Sequence, residues 1–292
     1  MDPFESKPFK WCDALARTPL DAGLHLRFAQ HAAQTGRPFL AYAQLRTAEW
    51  LGADPGFIAE YLEPWRGALP ELTRMNHNQY FRFRTLADAI AVRSEVGSGS
   101  VLDVGGGQGE LAAFLPDRAY CLAEPTVNGI SGIDLPFGEG AFDWVVACHV
   151  LEHIPPPDRD VFLDQLLSKS RRGVVLLNPF ETDNNHADEL HDLVIEVTGA
   201  QWAVEHRACG LPRVSDLTDY ADRRGVSIHV TPNGNAAASL ASVFVDHFSQ
   251  AAGQMADAEK VNHFLNTRYT PFLDSDKFPN AYVVVLSPVT GC

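Results

Sequence analysis

Six short apolar runs constrain this chain more than any other feature. They are Val101-Leu102-Asp103-Val104, Ala119-Tyr120-Cys121-Leu122-Ala123, Phe142-Asp143-Trp144-Val145-Val146-Ala147-Cys148, Gly173-Val174-Val175-Leu176-Leu177, Val226-Ser227-Ile228-His229-Val230 and Ala281-Tyr282-Val283-Val284-Val285-Leu286. Most are near-continuous rather than alternating, as expected for parallel strands covered on both faces. Helical stretches such as Val161 to Ser168 and Val214 to Arg224 lie between them. Strand alternating with helix predicts an α/β doubly wound, mostly parallel sheet.

Upstream the rhythm is helical. Phe57, Ile58, Tyr61, Leu62 and Trp65 recur at helical spacing, as do Phe83, Leu86, Ala87 and Ile90. Pro38, Pro55, Pro64 and Pro70 punctuate this region into short helices. Gly97-Ser98-Gly99-Ser100 breaks the pattern and reads as a hinge. The expected organisation is a helical cap or substrate domain over 1–96 and a sheet domain over 97–292. An insertion of about 45 residues, near 234–278, separates the last two runs, more than a usual connection. Within it Leu240, Val243, Phe244, His247 and Ala251 are spaced as an amphipathic helix. A lid, an oligomer contact and extra packing on the sheet are all open roles, so a homodimer is left open.

Charge narrows the partners. Net charge is −14, from 23 basic and 37 acidic residues. Such a surface repels phosphate backbones, and Arg171-Arg172 and Arg223-Arg224 are only pairs, so no nucleic-acid partner is expected. The five cysteines, Cys12, Cys121, Cys148, Cys209 and Cys292, contain no CxxC pair. They form neither a disulfide framework nor a zinc cluster, and they suit a reducing cytosol. Met1-Asp2-Pro3-Phe4-Glu5 begins no signal peptide, and no apolar window is long enough to span a membrane. A cytoplasmic protein is expected.

The first run ends in Asp103-Val104-Gly105-Gly106-Gly107-Gln108-Gly109. Glycine permits positive φ and close approach of a ligand to the backbone, and a helix expected from Glu110 to Leu115 would present free N–H groups. Dinucleotide sites use GxGxxG; here the pattern is DxGxGxG, which argues against a nicotinamide oxidoreductase. It resembles the nucleotide-binding turn of the class I S-adenosylmethionine-dependent methyltransferases. The likeness continues through Glu124, Gly132-Ile133-Asp134-Leu135-Pro136-Phe137, Phe142-Asp143-Trp144-Val145-Val146 and Cys148-His149-Val150-Leu151-Glu152-His153-Ile154-Pro155. The last block is similar to the small-molecule branch of that family.

The resemblance implies a seven-stranded Rossmann-like sheet and S-adenosyl-L-methionine as cofactor. It places Asp103, Gly105, Gly107, Gly109, Glu124, Pro125, Asp134, Leu135, Cys148 and His149 at that cofactor. Glu124 would take the ribose hydroxyls, since one carboxylate accepts two hydroxyl hydrogen bonds. Asn178-Pro179-Phe180 resembles the (D/N)PP(Y/F) element of amino-methylating DNA enzymes, but it follows a different strand and has one proline, so a turn is the preferred reading.

The expected activity is methyl transfer to a small-molecule acceptor, most simply a hydroxyl of a sugar or natural product. N- or C-methylation and a non-catalytic S-adenosylmethionine-binding scaffold are the alternatives. Histidine suits proton removal near neutral pH, and His149, His153 and His191 are the candidates. Glu152 reads as a structural or capping acid. On a helix Asp188, His191 and Asp192 share one face, which a metal, a base or plain solvent would each explain; no metal is expected. Tyr80, Arg84, Glu205 and His206 are candidate substrate contacts. Asn233-Gly234 reads as a turn.

Overall fold

The computed structural model describes residues 10–94, 99–182, 187–268 and 278–289. The expected signal-free N-terminus, Gly97 and Ser98 of the hinge, His186, Cys292 and residues 269–277 of the insertion lie outside the described residues.

Five helices come first: α1 (Trp11–Arg17), α2 (Ala22–Gln34), α3 (Pro38–Trp50), α4 (Pro55–Gly67) and α5 (His77–Ala91). Then follow β1 (Ser100–Val104), β2 (Ala119–Ala123), β3 (Phe142–Cys148), α6 (Arg159–Lys169) and β4 (Ser170–Asn178). The remainder is α7 (Ala187–Thr198), α8 (Gln201–Cys209), α9 (Val214–Arg224), β5 (Val226–Asn233), α10 (Ala236–Ala251), α11 (Met255–Thr267) and β6 (Ala281–Pro288). Pro38 and Pro55 open helices, where a missing N–H costs nothing. Pro64 lies inside α4 and does not end it. Asp21, Asp54, Asn76 and Asn235 cap α2, α4, α5 and α10 by accepting backbone N–H bonds.

All six apolar runs are strands, in the order β2-β1-β3-β4-β6-β5. The expected count of seven is therefore corrected to six among the described residues. β1 to β4 run parallel, whereas β6 pairs antiparallel with β4 and with β5. Strands β1 to β4 and β6 are buried nearly throughout, with side chains feeding cores on both faces. β5 is the edge strand, and its side chains alternate between half-buried and exposed. Its sequence, Val226-Ser227-Ile228-His229-Val230, alternates for that reason.

The helices before residue 96 do not sit apart from the sheet. Leu24, Phe28, Leu40, Tyr42, Leu86 and Ile90 share one apolar cluster with Val101, Leu122, Val146 and Val175. The opposite face is covered by α6 and α9, through Phe162, Leu166, Leu217 and Tyr220. The helix expected after the glycine turn is only a 3-10 turn, Glu110–Phe114, and α3 packs over it and over β2 instead. Thr47 Oγ1 accepts the Leu122 N–H at 3.0 Å, and the Arg46 guanidinium donates to the Arg118 carbonyl.

That packing leaves no room at Gly109. Its φ is +78°, and a Cβ there would lie 2.2 Å from Ala43 Cβ. Gly109→Ala is therefore expected to destabilise the fold by about 2–4 kcal/mol in urea titration, by backbone strain plus overpacking. Ala43→Gly should restore part of that loss; a double variant no more stable than Gly109→Ala alone would refute the contact.

The described part of the insertion is a helical pair docked on α5. His77 N–H donates to Asn262 Oδ1 at 3.1 Å, and Asn266 Nδ2 donates to the Thr73 and Met75 carbonyls at 2.9 Å. No helix among the described residues is long and apolar enough to cross a membrane.

Candidate active site

At the end of β1 each glycine meets a different constraint. Gly105 has φ +73°, and a Cβ there would strike Val150 Cγ2 at 2.5 Å. At Gly106 a Cβ would strike Asp103 Oδ2 at 2.3 Å. Gly107 has φ +56° and only Glu110 Oε2, at 3.9 Å, within reach of a Cβ. The backbone is bare there, which lets a ligand come close. Asp103 is buried under the turn and accepts the Tyr120 hydroxyl at 2.7 Å, while its Oδ1 has no partner. Burial pushes its carboxyl up to about 7, against the Tyr120 hydrogen bond.

Glu124 closes β2 beside the turn. Its Oε2 accepts the Gly107 N–H at 3.2 Å, and its Oε1 accepts the Thr126 N–H at 3.0 Å and hydroxyl at 2.6 Å. A cavity of about 450 Å³ opens here, with Gly105, Glu124, Ile133, His149, Val150 and His153 in its wall. That volume is ordinary for a small-molecule site.

The next strand end, β3, carries a histidine in an unusual backbone state. His149 has φ +55°, the one positive value at a non-glycine among the described residues, at a cost of about 1–2 kcal/mol. Its N–H donates to the Leu177 carbonyl at 2.8 Å, and its Nδ1 lies 3.0 Å from Glu152 Oε1. Its Nε2 is buried and has no partner. Burial, then the nearby Arg82 charge, lowers the imidazole to about 4.

Glu152 is fully buried at the centre of a cluster. Its Oε2 accepts from Asn178 Nδ2, and its Oε1 lies 3.7 Å from His206 Nε2. Burial opposes its charge, but His149 and His206 outweigh that and hold the carboxyl low. His206 Nε2 is 3.2 Å from His153 Nε2, and His206 Nδ1 is 2.9 Å from His191 Nε2. Burial lowers His206 to about 3. His153 Nδ1 pairs with Glu205 Oε2 at 3.0 Å. Arg159 ties the two halves together: its Nε donates to the Ile154 carbonyl at 3.1 Å and its Nη2 to the Cys209 carbonyl at 3.4 Å.

Beyond these histidines lies a second cavity of about 540 Å³, bounded by α5, α7, α8 and α10. Arg82 comes from α5, His191 from α7, Trp202 and His206 from α8, and Val243 from α10. His149 and His153 line both cavities.

Comparison with known proteins decides the family. Residues 77–229, just over half of the chain, match the family model described as a methyltransferase domain. The chain is a methyltransferase. Its cofactor is S-adenosylmethionine. No curated protein matches it. Among solved structures it is similar to the YcgJ protein of Bacillus subtilis, at 14% identity over 70% of this chain and 98% of that one, with a TM-score of 0.44. A SAM-dependent methyltransferase of Thermotoga maritima matches at 14% identity over 80% and 96% of the two chains, TM-score 0.42. Phosphoethanolamine N-methyltransferase 2 of Haemonchus contortus, solved with S-adenosyl-L-methionine, matches at 12% over 70% and 52%, TM-score 0.44.

The residues of the methyltransferase fit that cofactor. Gly105, the Glu124 carboxylate and Pro125 stand in the wall of the first cavity, with the bare backbone of Gly107 and the buried Asp103 in the turn beside it. Asp134 does not join them: it is exposed, with Ser131, Gly132 and Ile133 lining the cavity instead. Leu135 is buried and donates its N–H to Gln165 Oε1 at 3.2 Å. Cys148 lines neither cavity, and burial pushes its thiol up to about 12.

On the other side the structure brings His149, His153, His191 and His206 together, with Glu205 at the rim. The expected shared face of Asp188, His191 and Asp192 divides. Both aspartates pair outward with Arg207, while His191 turns inward. Tyr80 packs on Phe114, and Arg84 pairs with Asp88 at 3.1 Å, so neither lines the second cavity. The cavity face of α5 is Asn78, Gln79 and Arg82, offset from the expected Tyr80 and Arg84.

Sequence reasoning missed Asn128. It is fully buried, accepts the Glu124 N–H at 2.9 Å and donates to the Leu122 carbonyl at 2.7 Å. It thereby shapes the turn that carries Glu124. Asn128→Ala strands two buried backbone groups, and an expected loss of about 2–4 kcal/mol of stability follows. Differential scanning calorimetry checks this; an unchanged melting temperature would contradict it.

Proposed function

We propose that this methyltransferase acts on a hydroxyl oxygen of a small molecule, a sugar or natural product, held in the second cavity. One observation carries the reading: His149 and His153 stand in the walls of both cavities. The second cavity offers the amides of Asn76, Asn78, Gln79 and Asn280 to a polyol, and Leu190 and Val243 to a carbon skeleton. The acidic chain speaks against a nucleic-acid acceptor, and a cytoplasmic location remains part of the proposal. The helices of 1–96 take part as a cap through α5, and the insertion does so through α10.

Glu124 and Pro125 hold the nucleoside end of the cofactor, with Gly105 and the strand end at His149 around the rest. S-adenosylmethionine supplies an electrophilic methyl carbon on a sulfonium and departs as the neutral thioether. The acceptor oxygen forms the new bond to that carbon as the carbon–sulfur bond breaks, its electron pair staying on sulfur. The imidazole cluster at the junction prepares the hydroxyl and receives its proton, which passes to water by the exposed rim at Glu205. Much of the rate comes from holding oxygen and methyl in line, an effect of roughly 7–11 kcal/mol. Mass spectrometry of hydroxylated and aminated acceptors, incubated with enzyme and methyl-labelled cofactor, tests this. Label on oxygen is expected; label only on nitrogen or carbon overturns it.

A further inference from the structure

We propose that Glu152, His153 and His206 bind a divalent transition-metal ion, zinc foremost, where the two cavities meet. Its use in catalysis rests on the hydroxyl reading above; its binding does not.

The hydrogen-bond network sets the tautomers. His191 Nδ1 lies 2.6 Å from the Ala187 carbonyl, which only accepts, so that nitrogen carries the proton. In neutral His191 the Nε2 is then an acceptor, and it takes the proton of His206 Nδ1 at 2.9 Å. His206 Nε2 is left with a bare lone pair. His153 Nδ1 lies 3.0 Å from the Glu205 carboxylate, which favours the proton on Nδ1 and turns Nε2 toward His206. The two Nε2 atoms face each other at 3.2 Å. Beside them Glu152 Oε1, fully buried, accepts no hydrogen bond. His149 Nδ1 and His206 Nε2 approach it at 3.0 Å and 3.7 Å but outside hydrogen-bond geometry.

Two imidazole nitrogens and a carboxylate oxygen converging on one point call for a shared proton or a cation between them. The three ligand atoms lie within 4.8 Å of one another. Zinc–nitrogen bonds of about 2.0–2.1 Å in a tetrahedron put two nitrogens about 3.3–3.4 Å apart, close to the spacing seen. Two histidines and one carboxylate, leaving a fourth position, make a donor set of the catalytic rather than the structural kind. Each ligand is held from behind: His206 by His191, His153 by Glu205, Glu152 by Asn178. His153 is 32% exposed, so an ion can enter. The fourth position belongs to the junction, where an alcohol oxygen bound to zinc would lose its proton more readily.

The test uses the full chain, stripped of metal by a chelator and titrated with Zn²⁺ by calorimetry, with metal content read by mass spectrometry. One equivalent is expected, binding at least about tenfold tighter than to His206→Ala or to the backing variant His191→Phe. Co²⁺ at one equivalent should give the intense visible bands of a tetrahedral site in native protein, with no variant needed. Absence of stoichiometric zinc and of those bands, or equal affinity in native and variant proteins, overturns the site and leaves a shared proton between the histidines. Zinc bound at one equivalent without any hydroxyl methylation keeps the metal and removes the hydroxyl reading. Full-rate methylation by protein that takes up no metal does the reverse.

Discussion

Gly105→Leu is expected to weaken S-adenosylmethionine binding on the order of 10²- to 10³-fold by titration calorimetry. The backbone at φ +73° is costly for any other residue, and the new Cβ would meet Val150 Cγ2 at 2.5 Å. About 1–2 kcal/mol of strain plus about 1–3 kcal/mol of overpacking gives that range. Relief of the clash moves Val150, which lies in the cavity wall one residue after His149. The injury therefore falls on the site more than on the core. Affinity equal to that of the native protein would remove the turn from the cofactor site.

His153→Ala is expected to lower kcat by about 10²- to 10⁴-fold while S-adenosylmethionine affinity changes less than about threefold. The imidazole touches both cavities; of its polar partners, His206 lines the acceptor cavity and Glu205 the outer wall of the cofactor cavity. Partial exposure means that its loss opens no deep hole in the core. A kcat within twofold of native would exclude it from the reaction, and a matching fall in cofactor affinity would make it a cofactor contact instead.

Much of the sheet was legible because every strand but the alternating edge strand β5 is a near-continuous apolar run. The cofactor turn was legible because positive φ and close backbone approach leave glycine as their mark. Asp134 and Leu135, expected at the cofactor by analogy, lie beside the first cavity's wall, which is formed by Ser131, Gly132 and Ile133 where the chain turns. The histidine cluster was only half legible. His149 and His153 lie in one segment, but His191 and His206 meet them through the packing of α7 on α8, which no local spacing records. Glu152 looked like a capping acid, and its burial against Asn178 is a tertiary fact. On α5, helical periodicity gave the right helix but not its rotation, so Arg82 faces the cavity in place of Tyr80 and Arg84.

The sheet order also separates the unit that is recognisable from the unit that can fold. The family match ends at residue 229, inside β5. The strand that joins β5 to the rest is β6, which begins at Ala281 and lies between β4 and β5. The match starts at 77, after α3, whose Ala43 and Thr47 brace the glycine turn and β2. A fragment cut to the matched residues would keep the cofactor signature yet carry an orphaned edge strand, an open β4 edge and an uncovered apolar sheet face. Such a fragment is expected to aggregate on expression, and trimming at residue 96, where the rhythm of the sequence invites a cut, would strip the same face.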